Sequence, residues 1–111
     1  MNLRLLALLC LGAPLGSIQA QVVVVRHAEK ASETERDPVL SAIGEARALA
    51  LDSALAGLEI SAIVVTPYQR TAQTAAVVAR RHGLTPVQVP VTGGVPAHAK
   101  AVADEVRRYQ G

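Results

Sequence analysis

An α/β fold with a parallel sheet is what this sequence predicts, on three observations. Four β-branched residues at 22–25 run straight into Arg26 and His27 and then into a polar stretch, the pattern of a buried strand that ends in a loop. A second apolar run at 60–65 passes directly into a helical pattern, so strand and helix alternate, and such passages imply right-handed crossovers within one parallel sheet. Half of the 111 residues are apolar, yet Tyr68 and Tyr109 are the only aromatics. The core must therefore consist of Val, Leu, Ile and Ala, as suits such a sheet and its helices.

The fold is expected to begin after residue 20. Arg4 supplies a positive charge, an apolar run covers 5–11, and Gly12, Pro14 and Gly16 break it before Ala20. This is the pattern of a secretory signal peptide. The run is shorter than the roughly 20 apolar residues a membrane span needs. Cys10 has the large Leu9 before it, which argues against a lipid anchor. Cleavage after Ala20 would send the protein out of the cytoplasm, to the periplasm or the medium. The domain, 21–111, then contains no cysteine. Small exported domains often use disulfides; this one has to rely on packing.

The elements run in order along the chain. Residues 22–25 form the first strand, and 28–39, polar and containing Pro38, a loop. Ser41 is a good N-cap for a helix over 42–56, with Ala42, Ala46, Leu49, Ala50 and Ser53 on one face and Gly57 as its stop. Gly44 inside that helix costs about 1 kcal/mol relative to Ala and can mark close packing. Residues 60–65 form the second strand. Pro67 opens a helix over 68–82 with Ala72, Ala75, Ala76 and Ala79 as a small-residue face, closed by Gly83. A short strand at 87–91, flanked by Pro86 and Pro90, belongs near an edge. A third helix over 97–109 turns Ala99, Val102, Ala103 and Val106 inward.

The chemistry lies where the strands end. Arg26 and His27 follow the first strand, and Arg70 follows the second. Ligands of open α/β sheets bind at the carboxyl ends of the strands. Two guanidinium forks suit a phosphate dianion, and a neutral imidazole can attack phosphorus to form a covalent intermediate. The net charge is only +2. The pairs Arg80-Arg81 and Arg107-Arg108 lack interleaved aromatics, so nucleic acid is not an expected partner despite a pI near 9.1.

Three stretches carry a resemblance. Val24-Val25-Arg26-His27-Ala28-Glu29-Lys30 resembles the Arg-His-Gly signature of the histidine phosphatase superfamily, with Ala in place of Gly. Leu40-Ser41-Ala42-Ile43-Gly44-Glu45-Ala46-Arg47-Ala48 resembles its Leu-Ser-x-x-Gly-x-x-Arg/Gln-Ala helix. Thr66-Pro67-Tyr68-Gln69-Arg70-Thr71-Ala72-Gln73-Thr74-Ala75 resembles its Ser-Pro-x-x-Arg-Thr-x-Gln-Thr-Ala motif.

The resemblance implies a phosphoglycerate mutase-like, three-layer α/β/α fold with a mainly parallel sheet. It also implies hydrolysis of phosphomonoesters, or of protein phosphohistidine, through a phosphohistidine on His27. Arg26 and Arg70 would hold the phosphoryl group, with no cofactor and no metal. The expected partner is a small phosphorylated substrate or a phosphoprotein. Glu29 and Lys30 would sit beside the pocket without an assigned step. The family also uses a second His at the end of a later strand and an acidic proton donor. His82 and His98 do not follow apolar strands. Glu29, Asp104 and Glu105 are the only acids open to the donor role, and Asp104 and Glu105 are expected on the exposed face of the last helix. The expectation is thus a domain incomplete at its C-terminus, before the strand with the second His. The alternative is a non-catalytic fragment with weak phosphate binding.

Overall fold

A strand exists only where a neighbour pairs with it, and pairing decides which apolar runs of this chain become sheet. The structure, a computed structural model, describes residues 21–110. The expected signal peptide at 1–20, Cys10 included, and the terminal Gly111 lie outside the described residues. The elements run α1 (Ala42–Leu55), β1 (Val64–Val65), α2 (Gln69–His82), β2 (Val87–Gln88) and α3 (Gly94–Arg107). β1 and β2 are parallel, with Val64 opposite Val87 and Val65 opposite Gln88. Val87 N donates to Ile63 O and Val89 N to Val65 O, each at 2.8 Å. With α2 as the crossover this is one βαβ unit, and the chain is α/β as expected.

The strand expected at 22–25 is not formed. Val22, Val23, Val24 and Val25 are exposed, Val24 to 87%, and no backbone ladder joins them to β1 or β2. Side-chain pattern makes a segment fit for a strand, but a strand needs a neighbour for its backbone groups, and the two-stranded sheet supplies none. The same cause shortens the other two. The expected 60–65 contracts to Val64–Val65, and 87–91 to Val87–Gln88.

The helices lie close to expectation, but α1 presents a different face. Ser41 caps α1, its hydroxyl accepting from Gly44 N at 3.0 Å. Gly44, Ala48 and Asp52 are buried, whereas Ala42, Ala46, Leu49, Ala50 and Ser53 are exposed. Apolar residues lie all round α1, so periodicity could not select the buried face. Asp52 lies inward because Arg81 of α2 grips it. Arg81 Nε and Nη2 donate to the two carboxylate oxygens at 2.7 and 2.8 Å. This fork ties α1 to the C-terminal end of α2 and is the kind of pairing a buried carboxylate requires.

α2 is stopped by Gly83, whose φ of 66° is the left-handed conformation glycine adopts without strain. Its N-terminus is capped from a distance. Gln69 N donates to the Asp37 carboxylate, and Gln69 Nε2 to Asp37 O, both at 2.9 Å. On α2 the buried residues are Thr74, Val78 and Ala79; Ala72, Ala75 and Ala76 are half-buried. α3 starts earlier than expected, at Gly94, because Pro96 is tolerated in the first turn of a helix. Val102, Ala103 and Val106 are half-buried, and Ala99, expected inward, is exposed.

Arg81's hydrogen bonds hold the Asp52 carboxyl below its ordinary value of 3.8. As pH falls, the unfolded chain takes up this proton before the folded one. The pair therefore stabilises the fold at neutral pH and is lost as pH drops through the folded value. Asp52→Asn should lower the thermal midpoint at pH 7, with the gap to the parent narrowing as the solution is acidified through the carboxylate range. Circular dichroism melts at several pH values measure this.

Candidate active site

The site is assembled around the buried backbone of Ala28. Its side chain, 2% exposed, packs with Leu40 and with Ala48 of α1. Ala28 N donates to Thr74 Oγ1 at 2.9 Å, and Thr74 Oγ1 donates to Arg70 O at 2.6 Å. Arg70 and Thr74 lie one turn apart on the same side of α2. The segment carrying Arg26 and His27 is thus fastened to the turn of α2 that begins with Arg70. One hydroxyl both accepts and donates, which satisfies two backbone groups in a dry place.

The next residue is fastened to α1. Ser41 N donates to Glu29 O at 2.9 Å, and Ser41 Oγ lies 3.3 Å from the same oxygen. Gly44 packs against this carbonyl: a Cβ built on it would overlap Glu29 O and lie 3.1 Å from Glu29 C and N. Close approach, not a turn, is therefore what glycine supplies here. The loop closes where Lys30 and Leu40 form an antiparallel bridge, with Ala31 N donating to Val39 O at 2.8 Å. Gln73 Oε1 accepts from Leu40 N at 2.8 Å.

His27 is half-buried, and its Nδ1 lies 2.8 Å from Ala28 O. A carbonyl can only accept, so Nδ1 carries the proton in this contact. In the neutral imidazole the lone pair is then on Nε2. Arg26 is exposed and lines a hollow of about 280 Å³ together with Ala28, Arg47, Leu51 and Thr74. The Arg70 guanidinium lies over the Tyr68 ring, 4.4 Å from its centroid, a cation–π contact. Among the described residues no hydrogen bond joins the side chains of Arg26, His27 and Arg70. The structure brings their backbones together, while the Arg70 fork is turned onto Tyr68.

The acids are engaged elsewhere. Arg47 Nε donates to both Glu29 oxygens at 2.9 and 3.0 Å, and Nη2 donates at 2.7 Å. These bonds hold the Glu29 carboxyl below its usual range, so it is poorly suited to carry a proton for a leaving group. Lys30 pairs with Glu33 at 3.2 Å. Asp104 is bonded by Lys100 at 2.8 Å and Arg107 at 2.9 Å, which holds its carboxyl down as well. Glu105 accepts from the Tyr109 hydroxyl at 3.0 Å and lies 3.7 Å from Arg108. Its side chain is only 18% exposed, not on an open face as expected. His82 ends α2, about 18 Å along the helix from Arg70. Its Nε2 is buried without a hydrogen-bond partner. His98 Nδ1 lies 3.2 Å from Pro90 O.

Sequence reasoning missed the residues that hold this loop. Thr74 and Gln73 sit inside the family-like stretch at 66–75 but had no role. Thr74 was discoverable from its spacing of four from Arg70. Arg47 and Asp37 gave no such signal, because their partners are 18 and 32 residues away.

A loop presenting Arg26 and His27 is thus fastened, in an α/β chain, to the first turn of the helix that bears Arg70. A family model for the histidine phosphatase superfamily (branch 1) matches residues 22–91, and the chain belongs to that superfamily. It is similar to the uncharacterized protein Rv0525 of Mycobacterium tuberculosis strain H37Rv, 44% identical over 72 residues. The match covers 60% of this chain and 36% of that protein. The uncharacterized protein MT0547 of strain CDC 1551 matches to the same extent. The chain thus spans about a third, 36%, of the length of the curated relatives it matches.

Two substitutions test the anchors. Thr74→Val leaves the Ala28 N–H buried without an acceptor and should cost roughly 1–3 kcal/mol in denaturant unfolding. Gly44→Ala must displace the Glu29 carbonyl. Although Ala is the better helix former, it should destabilise by about 1–3 kcal/mol and shift the amide NMR signals of 28–31.

Proposed function

We propose that the chain is a phosphatase-type hydrolase of phosphomonoesters, or of protein phosphohistidine, with His27 as the nucleophile. The observation that carries this is the His27 Nδ1 contact to Ala28 O at 2.8 Å, which leaves Nε2 free with its lone pair. Nε2 attacks phosphorus while the ester oxygen departs and takes a proton from water. Water then attacks the phosphoryl group on Nε2, releasing inorganic phosphate and the free imidazole. Arg26 and Arg70 neutralise the three phosphoryl oxygens in both steps. For this, Arg70 leaves the Tyr68 ring, a contact worth on the order of 1 kcal/mol at an accessible site, for a charge-assisted bond to phosphate. No metal or organic cofactor takes part. The domain spans 21–111 in a three-layer α/β/α plan, behind a signal peptide at 1–20, and works outside the cytoplasm, in the periplasm or the medium.

A second reading, phosphate binding without turnover, is favoured by one observation. Glu29 and Asp104 are both held ionised by cations, and Glu105 is occupied by Tyr109. None of the three acids that the sequence offers for the donor role is thus free to protonate the leaving group.

Incubation of the full chain with an aryl phosphate separates the two. The phosphatase reading expects phosphate release that His27→Ala abolishes, and a phosphoryl group on His27 that is stable to base and labile to acid. Binding of inorganic phosphate, seen by calorimetry and weakened by Arg70→Ala, with equal background release from parent and His27→Ala, would establish the binding reading instead.

A further inference from the structure

We propose that Arg47 is a positioning residue for His27, acting through Glu29; this rests on His27 being the reacting group. The imidazole is oriented by the carbonyl of Ala28. That carbonyl belongs to the peptide between Ala28 and Glu29, and the peptides on either side are both pinned. The preceding one is held to α2 by the bond from Ala28 N to Thr74. The following one is held to α1 by the bond from Ser41 N to Glu29 O. Rotation of the central peptide about its own axis would still move Ala28 O and swing the imidazole. The N–H of that same peptide is that of Glu29 and bonds to the Glu29 carboxylate, which Arg47 holds at both oxygens. A two-pronged planar grip restricts rotation where a single contact would not.

Energy separates this role from simple stabilisation. The side chains are 64% exposed for Arg47 and 42% for Glu29, and pairs this exposed add little to folding. The consequence of the pair is therefore direction. It also keeps the Arg47 guanidinium, which lines the same hollow as Arg26, paired and out of competition for the phosphoryl anion.

The test is two-bond ¹H–¹⁵N NMR of the full chain, ¹⁵N-labelled at histidine, at a pH where the imidazoles are neutral. Free histidine favours the form with its proton on Nε2; His27 of the parent should favour the form with its proton on Nδ1. In Arg47→Ala and in Glu29→Gln the His27 signals should move toward the free-histidine ratio. Arg47→Lys should keep part of the parent ratio, and His98 should not change. Where the parent hydrolyses an aryl phosphate, Arg47→Ala should lower kcat by up to roughly 100-fold with KM unchanged.

An unchanged His27 ratio in both Arg47→Ala and Glu29→Gln overturns the proposal. So does loss of cooperative unfolding in Glu29→Gln, since the pair would then be a stability element. A shifted ratio in a parent that hydrolyses nothing upholds the positioning role and removes the phosphatase reading, so the two failures are distinct.

Discussion

The bond from Ala28 N to Thr74 Oγ1 is the constraint on which the candidate site depends. It takes a segment with no strand of its own and fixes it to a helix. Because the same hydroxyl donates to Arg70 O, the fixed point is the turn that carries Arg70. Burial makes the bond matter. With Ala28 packed among Leu40 and Ala48, water cannot replace Thr74 as the acceptor.

From that point the structure grows outward in both directions. Glu29 turns to α1 and meets Ser41, Gly44 and Arg47, so the residues that begin α1 also shape the loop before it. The loop returns at Leu40 to Gln73, one residue before Thr74. Asp37 reaches the first N–H of α2, where a negative charge also suits the helix dipole. At the far end Arg81 grips Asp52. α2 is thus tied through polar groups to the loop before α1 at one end and to α1 itself at the other. This is consistent with an aromatic-poor chain whose described core contains no residue larger than Leu.

Much of this was legible in the sequence. Ser41 as a cap and Gly83 as a stop follow from local hydrogen bonding and backbone freedom, which a few neighbouring residues determine. Gly44, a residue type that can mark close packing inside a helix, does pack closely, against a carbonyl 15 positions earlier in the chain. The inner face of α1 was not legible. Its apolar residues point in every direction, and the inward Asp52 depends on a partner 29 residues away. Residues 22–25 show the opposite failure, a strong local preference with no neighbour to realise it.

By itself the sequence determined the α/β class, the extents of the helices to within a few residues, and the motifs that place the chain in the histidine phosphatase superfamily. These depend on propensities, caps and motif order, all properties of short stretches. Only the tertiary structure decided which segments became strands and which face of α1 was buried. It alone showed that Glu29 is bound to Arg47, and that Arg26, His27 and Arg70 meet through Ala28 and Thr74 rather than through their own side chains. Those outcomes are set by hydrogen bonds and ion pairs between distant residues, and a partner's position is not written in the residue that needs it.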